Sequence, residues 1–284
     1  MNPVVFEAGP IVVRAYTAWL GGGILLALGV IAWRAYRADP RAVAPWLDVG
    51  IAALIGGVIG ARLLYVALEW DFFADSPDQM VKIWLGGLAW HGTLLAGLPA
   101  ALVMARVRRV PLKPWTDAAA LAWPVGLIAA WIACRRAGCG YGAEVRTLAD
   151  WPGWLVEELP DVYGLVAPRL EVQLAGALWG AVLLALALIL TWRGWLAGLR
   201  LWIVLALTGL GLAVIGFFRA DPAHTLIHRR ADQVFDLGLL FASTLTGGMI
   251  WLLDRRAVRL AAPDVEDKPD EHHAGTGPDP SEAG

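Results

Sequence analysis

The sequence predicts an all-α integral membrane protein of seven transmembrane helices, with its N-terminus outside and its C-terminus in the cytoplasm. Three observations carry that prediction. Of 284 residues, 58% are hydrophobic and only 17% charged, and the mean hydropathy is +0.59, far from the balance of a soluble domain. The apolar residues arrive in runs about 20 long, enough to span a hydrocarbon core of roughly 30 Å at about 1.5 Å per helical residue. Basic residues gather in alternate connections between those runs, which sets an orientation.

The runs fall at about 11–33, 47–68, 88–106, 116–137, 171–191, 200–218 and 233–253. None alternates with period two, so helices rather than barrel strands are expected. Their glycines are tolerated better in a membrane than in water, and Pro124 should kink the fourth span. No basic segment or small-residue cleavage site precedes the first run, which is therefore expected to be a retained helix. Arg34, Arg37 and Arg41 follow span one, and Arg106, Arg108, Arg109 and Lys113 follow span three. Arg193 and Arg200 follow span five, and Arg255, Arg256 and Arg259 follow span seven, which makes these four connections cytoplasmic. The opposite connections are acidic, as in "EWDFFADSPD" and "DWPGWLVEELPD". Many of the 16 tryptophans lie beside charges or at the ends of runs, where they suit the membrane interface. Residues 1–256 read as the membrane domain, and the Pro- and Gly-rich residues 257–284 as a disordered acidic cytoplasmic tail.

Placed by depth, the unusual residues crowd toward the outer half. Tyr16 lies near the start of span one, Arg62 sits about two-thirds of the way outward along span two, and His91 opens span three. Arg135 and Arg136 close span four, Gln173 opens span five, Arg219 closes span six and Gln233 opens span seven. Anchors alone should appear at both faces; this set favours one. Ionisable residues inside a membrane usually face a bundle interior or a wet cavity, so they are candidates for function. Arg136 and Arg219 could instead snorkel to headgroups. Arg62 is too deep for that and needs a buried partner or a ligand. His91 in "GGLAWHGTLLAG" is flanked by glycines, Gly92 among them, that allow close approach of a ligand to the backbone.

These residues resemble the prolipoprotein diacylglyceryl transferase family. "GPIVVRAYTAWLGGGILLA" is similar to the family's first helix with its tyrosine, Tyr16; "GARLLYV" to its second-helix segment with Arg62; "LGGLAWHGTLLAG" to its histidine motif with His91; "FFRADP" to its sixth-helix arginine segment with Arg219. The fourth-helix signature is altered: Trp131 stands at the signature arginine, Cys134 at the first asparagine and Cys139 at the glutamate. Of the fifth-helix motif Gln173 remains, and Gly216 stands where the family has a glutamate before the arginine.

The resemblance implies an enzyme of the bacterial cytoplasmic (inner) membrane that moves the diacylglyceryl group of phosphatidylglycerol to the lipobox cysteine thiol of preprolipoproteins. Its partners would be that lipid, the signal peptides of the acceptors and the bilayer, with no nucleic acid and no cofactor or metal. His91, Arg219 and Tyr16 would be catalytic; Arg135, Arg136, Arg62, Gly92, Gln173 and Gln233 would bind substrate. The chemistry suits the residue types: guanidinium binds a leaving phosphate, and a histidine can take the thiol proton. Arg135 lies one turn beyond Trp131 on the same face, so it is expected to supply the phosphate contact missing there. The alternative is a catalytically silent homologue that binds lipid or a membrane partner. Cys134 and Cys139 diverge by about 140° on an ideal helix, so plain packing is expected unless the following glycines unwind the helix end and permit a disulfide. They lack metal-site spacing, and His272 and His273 read as solvated tail.

Overall fold

The computed structural model describes residues 4–9, 11–226 and 228–261. Among the described residues eight α-helices run in order: α1 Ala15–Ala38, α2 Val43–Leu68, α3 Trp70–Asp75, α4 Trp90–Val107, α5 Leu112–Ala137, α6 Val172–Trp192, α7 Arg200–Ile215 and α8 Ala231–Ala261. Three antiparallel hairpins decorate the connections: β1 Val4–Ala8 with β2 Ile11–Arg14, β3 Val156–Pro160 with β4 Val166–Leu170, and β5 Thr225–Leu226 with β6 Arg229–Arg230. Among the described residues six helices are long and apolar enough to cross a membrane: α1, α2, α5, α6, α7 and α8. The expected third span is α4, whose 18 residues begin with a polar turn and include Pro99 and Arg106; it is not among those six. The fold is thus a mostly helical bundle of the kind that multi-pass membrane proteins adopt. Leu25, Leu95, Val182, Phe241 and Leu245 point outward, an exposure that lipid, not water, would favour.

The bundle is built by pairing: α2 lies on α4, α1 on α5, α5 on α6, and α7 on α8. Small residues let these backbones approach, as in membrane helix packing generally. A Cβ on Gly97 of α4 would stand 2.8 Å from the Ala53 carbonyl oxygen of α2. Gly92 of α4 and Gly60 of α2 abut each other's carbonyls directly. Gly92 therefore serves the α2–α4 crossing: its open side is filled by α2, which corrects the expectation that it leaves room for a ligand. One core cluster joins Ile31, Trp46, Val49 and Trp115; another joins Leu121, Leu201, Val204 and Leu205. Pro124 is fully buried inside α5, which runs on through it.

Two boundaries differ from expectation. α1 starts at Ala15 because residues 11–14 pair with β1. α8 continues to Ala261, past the expected boundary at 256, while the remaining tail, with His272 and His273, lies outside the described residues.

Candidate functional site

The C-terminal ends of α2, α5 and α7 and the N-terminal ends of α4, α6 and α8 meet at one pole of the bundle, and the polar chemistry collects there. The opposite pole is held by structural pairs: Trp115 Nε1 donates to the Trp46 carbonyl at 3.1 Å, and buried Asp117 accepts from the Gly198 amide and pairs with Arg200 at 3.2 Å.

His91 and Asp236 form a buried polar contact at the first pole. His91 Nε2 lies 2.8 Å from Asp236 Oδ1, with residue exposures of 7% and 3%. Helix geometry explains the meeting: His91 is the second residue of α4, and Asp236 lies in the second turn of α8. The imidazole also packs on the rings of Trp90 and Phe235, with centroids 3.8 and 5.1 Å away. Asp236 sits where α8 crosses closest to α7, its carbonyl pressed against Gly209. Gln233, three residues earlier on α8, donates from Nε2 to the Ala213 carbonyl at 3.1 Å and fills the space beside Gly216. A side chain at 216, where the resemblance would put a glutamate, would have to displace the Gln233 side chain.

Carboxylates come from elsewhere instead. Arg219 donates to both Asp221 oxygens at 2.9 and 2.6 Å and contacts Asp232 at 2.9 Å. Arg230 contacts the same two carboxylates at 3.2 and 3.0 Å, closing a four-membered ring of alternating charge. Backbone pairing fixes Arg219: it bridges Gly142, with Ala143 donating to the Phe218 carbonyl and Ala220 to that of Tyr141. Burial works against the Arg219 charge, but Asp221, Asp232 and Asp236 outweigh it and hold the guanidinium above its usual range. Arg219 is thereby within electrostatic reach of the His91–Asp236 pair.

Arg135 belongs to a neighbouring cluster. It donates to the buried Glu171 carboxylate at 2.7 Å and pairs with Glu157 of β3. Both carboxylates occupy the guanidinium, so the expected placement of Arg135 beside Trp131, open to phosphate, is not what the chain adopts. Trp131 packs flat on Gly176 of α6, and Arg136 is exposed at the helix end. Burial pushes the Glu171 carboxyl up, whereas the hydrogen bond it shares with Glu157, aided by Arg135, holds Glu157 down.

Cys134 and Cys139 form a disulfide, which overturns the packing expectation. α5 ends at Ala137, and Gly138 takes φ +74°, a left-handed turn that brings Cys139 back over Cys134. Gln173 Nε2 donates to the Cys139 carbonyl at 3.2 Å; its Oε1 is buried with no hydrogen bond among the described residues.

Arg62 is committed to structure. Its guanidinium donates to the carbonyls of Gln79, Met80, Gly86 and Gly87 at 2.6, 2.8, 2.6 and 2.8 Å and stacks near Tyr65 and Phe73. With four of five N–H donors used, it ties down the 79–87 segment, a structural engagement where the sequence suggested substrate binding. Tyr16, half-buried, is the second residue of α1, the helix that packs on α5. Sequence reasoning missed Asp236, Asp221, Asp232, Arg230 and Glu171. The signal for Asp236 was present, since residues 233 and 236 share a helix face.

Fold and site together define a multi-pass membrane protein with a buried histidine–carboxylate pair beside an arginine–aspartate ring. The profile of the prolipoprotein diacylglyceryl transferase family matches residues 3–251, and the chain belongs to that family. It is similar to a phosphatidylglycerol–prolipoprotein diacylglyceryl transferase of Synechococcus elongatus, 36% identical over 118 residues, 41% of this chain and 40% of that relative. Relatives of the same name align over greater lengths. The protein of Symbiobacterium thermophilum is 27% identical over 90% of this chain and 95% of its own length. That of Thermus thermophilus is 28% identical over 89% and 96%.

Proposed function

We propose that this chain transfers the diacylglyceryl group of phosphatidylglycerol to the lipobox cysteine thiol of preprolipoproteins, at the outer side of the bacterial cytoplasmic membrane. The observation that carries the reading is the meeting of His91 and the Arg219 ring at one pole of a bundle from this family. The thiol loses its proton to His91, the sulfur forms a bond to the glycerol carbon of the diacylglyceryl group, and the carbon–oxygen bond to phosphate breaks. Glycerol phosphate leaves as an anion, whose charge Arg219 and Arg230 stabilise as they turn from their aspartates. Tyr16 and Gln173 supply hydrogen bonds to the headgroup.

In this reading α4 is a seventh crossing, about 27 Å long at the helical rise and close to the hydrocarbon thickness. Seven crossings with basic connections inside would support an N-terminus, polar pole and both substrates on the outer side. One observation favours the second reading, a silent homologue that binds lipid: Arg135 and Arg219 are both occupied by carboxylates. Complementation of a transferase-depleted bacterium separates the two. Diacylglyceryl-modified lipoproteins by mass spectrometry support transfer, and unmodified precursors at normal protein levels reject it.

A further inference from the structure

We infer that Asp236 is a positioning residue for His91, holding the imidazole with its proton on Nε2 so that Nδ1 is the basic nitrogen presented to the reacting thiol. The inference rests on the transferase reading for its kinetic consequence, but its structural content stands on the contact itself. A neutral imidazole has one donor and one acceptor nitrogen, and the partner of one nitrogen decides the role of the other. Here a carboxyl oxygen lies 2.8 Å from Nε2, and a carboxylate can only accept. The ring cannot easily turn away, because Trp90 and Phe235 pack on it and its helix start is anchored by Gly92 against α2. Asp236 is equally fixed, its backbone pressed against Gly209 of α7 and its side chain almost fully buried.

The other charged groups nearby are engaged with one another. Asp232 and Arg219 act on Asp236 from the start of α8 and the end of α7. On α2, packed behind α4, Arg62 is spent on carbonyls of the 79–87 segment. Arg219 and Arg230 are matched by Asp221 and Asp232 in the ring, which leaves Asp236 as the carboxylate committed to the histidine. When His91 takes a proton, the imidazolium forms in an enclosed place, where a fixed carboxylate offsets the cost of the new charge.

The test uses full-length protein in phosphatidylglycerol-containing micelles, with ¹⁵N-labelled histidine and the His91 resonances assigned by their loss in His91→Gln. The expected spectrum shows the Nε2–H tautomer in the wild type and in Asp236→Glu. In Asp236→Asn a mixture is expected, because an amide can offer either its oxygen or its N–H. A wild-type Nδ1–H tautomer, or a spectrum unchanged in Asp236→Asn, overturns the inference whether or not transfer is seen. In parallel, transfer to a lipobox peptide should fall about 100-fold or more in kcat for Asp236→Asn. KM for phosphatidylglycerol should stay within about threefold, and Asp236→Glu should recover part of the loss. An unchanged kcat in Asp236→Asn also overturns the positioning role. Wild-type protein that shows the expected tautomer but transfers nothing rejects the transferase reading and leaves the Asp236–His91 assignment supported.

Discussion

Replacing Arg62 with Met tests how the polar pole is held together. The side chain keeps comparable length and apolar contact with Tyr65 and Phe73 but withdraws donors from four carbonyls that now accept at 2.6–2.8 Å. A hydrogen bond from a charged group is worth about 1.5–3 kcal/mol net. The full sum overstates the loss, because the bonds share one guanidinium and much of the 76–86 segment borders solvent. A local loss of about 3 kcal/mol is the reasonable expectation, which corresponds to roughly 100-fold more of the opened segment at about 1.4 kcal/mol per tenfold. Lys82 lies inside that segment and gives trypsin a site. Under conditions where opening is fast relative to cleavage, cutting after Lys82 should accelerate by about that factor, with a lower melting temperature in detergent. Arg62→Lys should recover only part, since an ammonium cannot reproduce the planar fork. Wild-type rates of cleavage and wild-type melting in Arg62→Met would refute the clamp.

Other outcomes follow from the same geometry. His91→Gln should lower transfer by about 10²–10⁴-fold with normal protein levels, measured as lipidated peptide; unchanged transfer rejects His91 as base. Arg219→Ala should weaken transfer sharply, and Arg219→Lys should fall short of wild type because the bidentate contact is lost. Glu171 has its carboxyl raised by burial, so the folded state binds that proton more tightly than the unfolded chain, and its contribution to stability declines as pH rises above the ordinary carboxylate range. Glu157, held down, works in the opposite sense and loses its contribution as pH falls. Relative to wild type, Glu171→Gln should therefore gain stability as pH rises from about 4 upward, on top of a constant loss from its broken contact with Arg135; a difference that moves the other way with pH contradicts the assignment. Reducing the Cys134–Cys139 disulfide should cost about 2 kcal/mol for so short a loop, read as a lower melting temperature that the Cys134→Ala variant reproduces without reductant.

The helices were legible because each apolar run had to be long and continuous, and most observed ends fall within a few residues of those runs. The hairpins were not, since strands as short as Thr225–Leu226 or Arg229–Arg230 leave no periodic trace. α1 began late for the same reason: "IVVR" reads as apolar run but pairs with β1. At the site, His91, Arg219 and Gln233 stood out as polar groups among apolar neighbours. Asp236 stood out equally, but a residue's partner depends on which helices cross, and nothing local says that α8 meets α4. Arg62 showed the converse problem. Its depth demanded a partner, yet the partners are backbone carbonyls, which carry no residue-type signature. The cysteines were misjudged because ideal helical geometry was extended past Ala137, where Gly138 reverses the chain.

The most direct test of the account is a transfer reaction with purified protein in proteoliposomes that hold phosphatidylglycerol and a lipobox peptide. The account predicts equal amounts of diacylglyceryl thioether peptide and released glycerol phosphate, both abolished when the peptide's cysteine is replaced by serine and both strongly reduced in His91→Gln. Folded protein that binds phosphatidylglycerol yet yields neither product, or that yields both undiminished in His91→Gln, would contradict it.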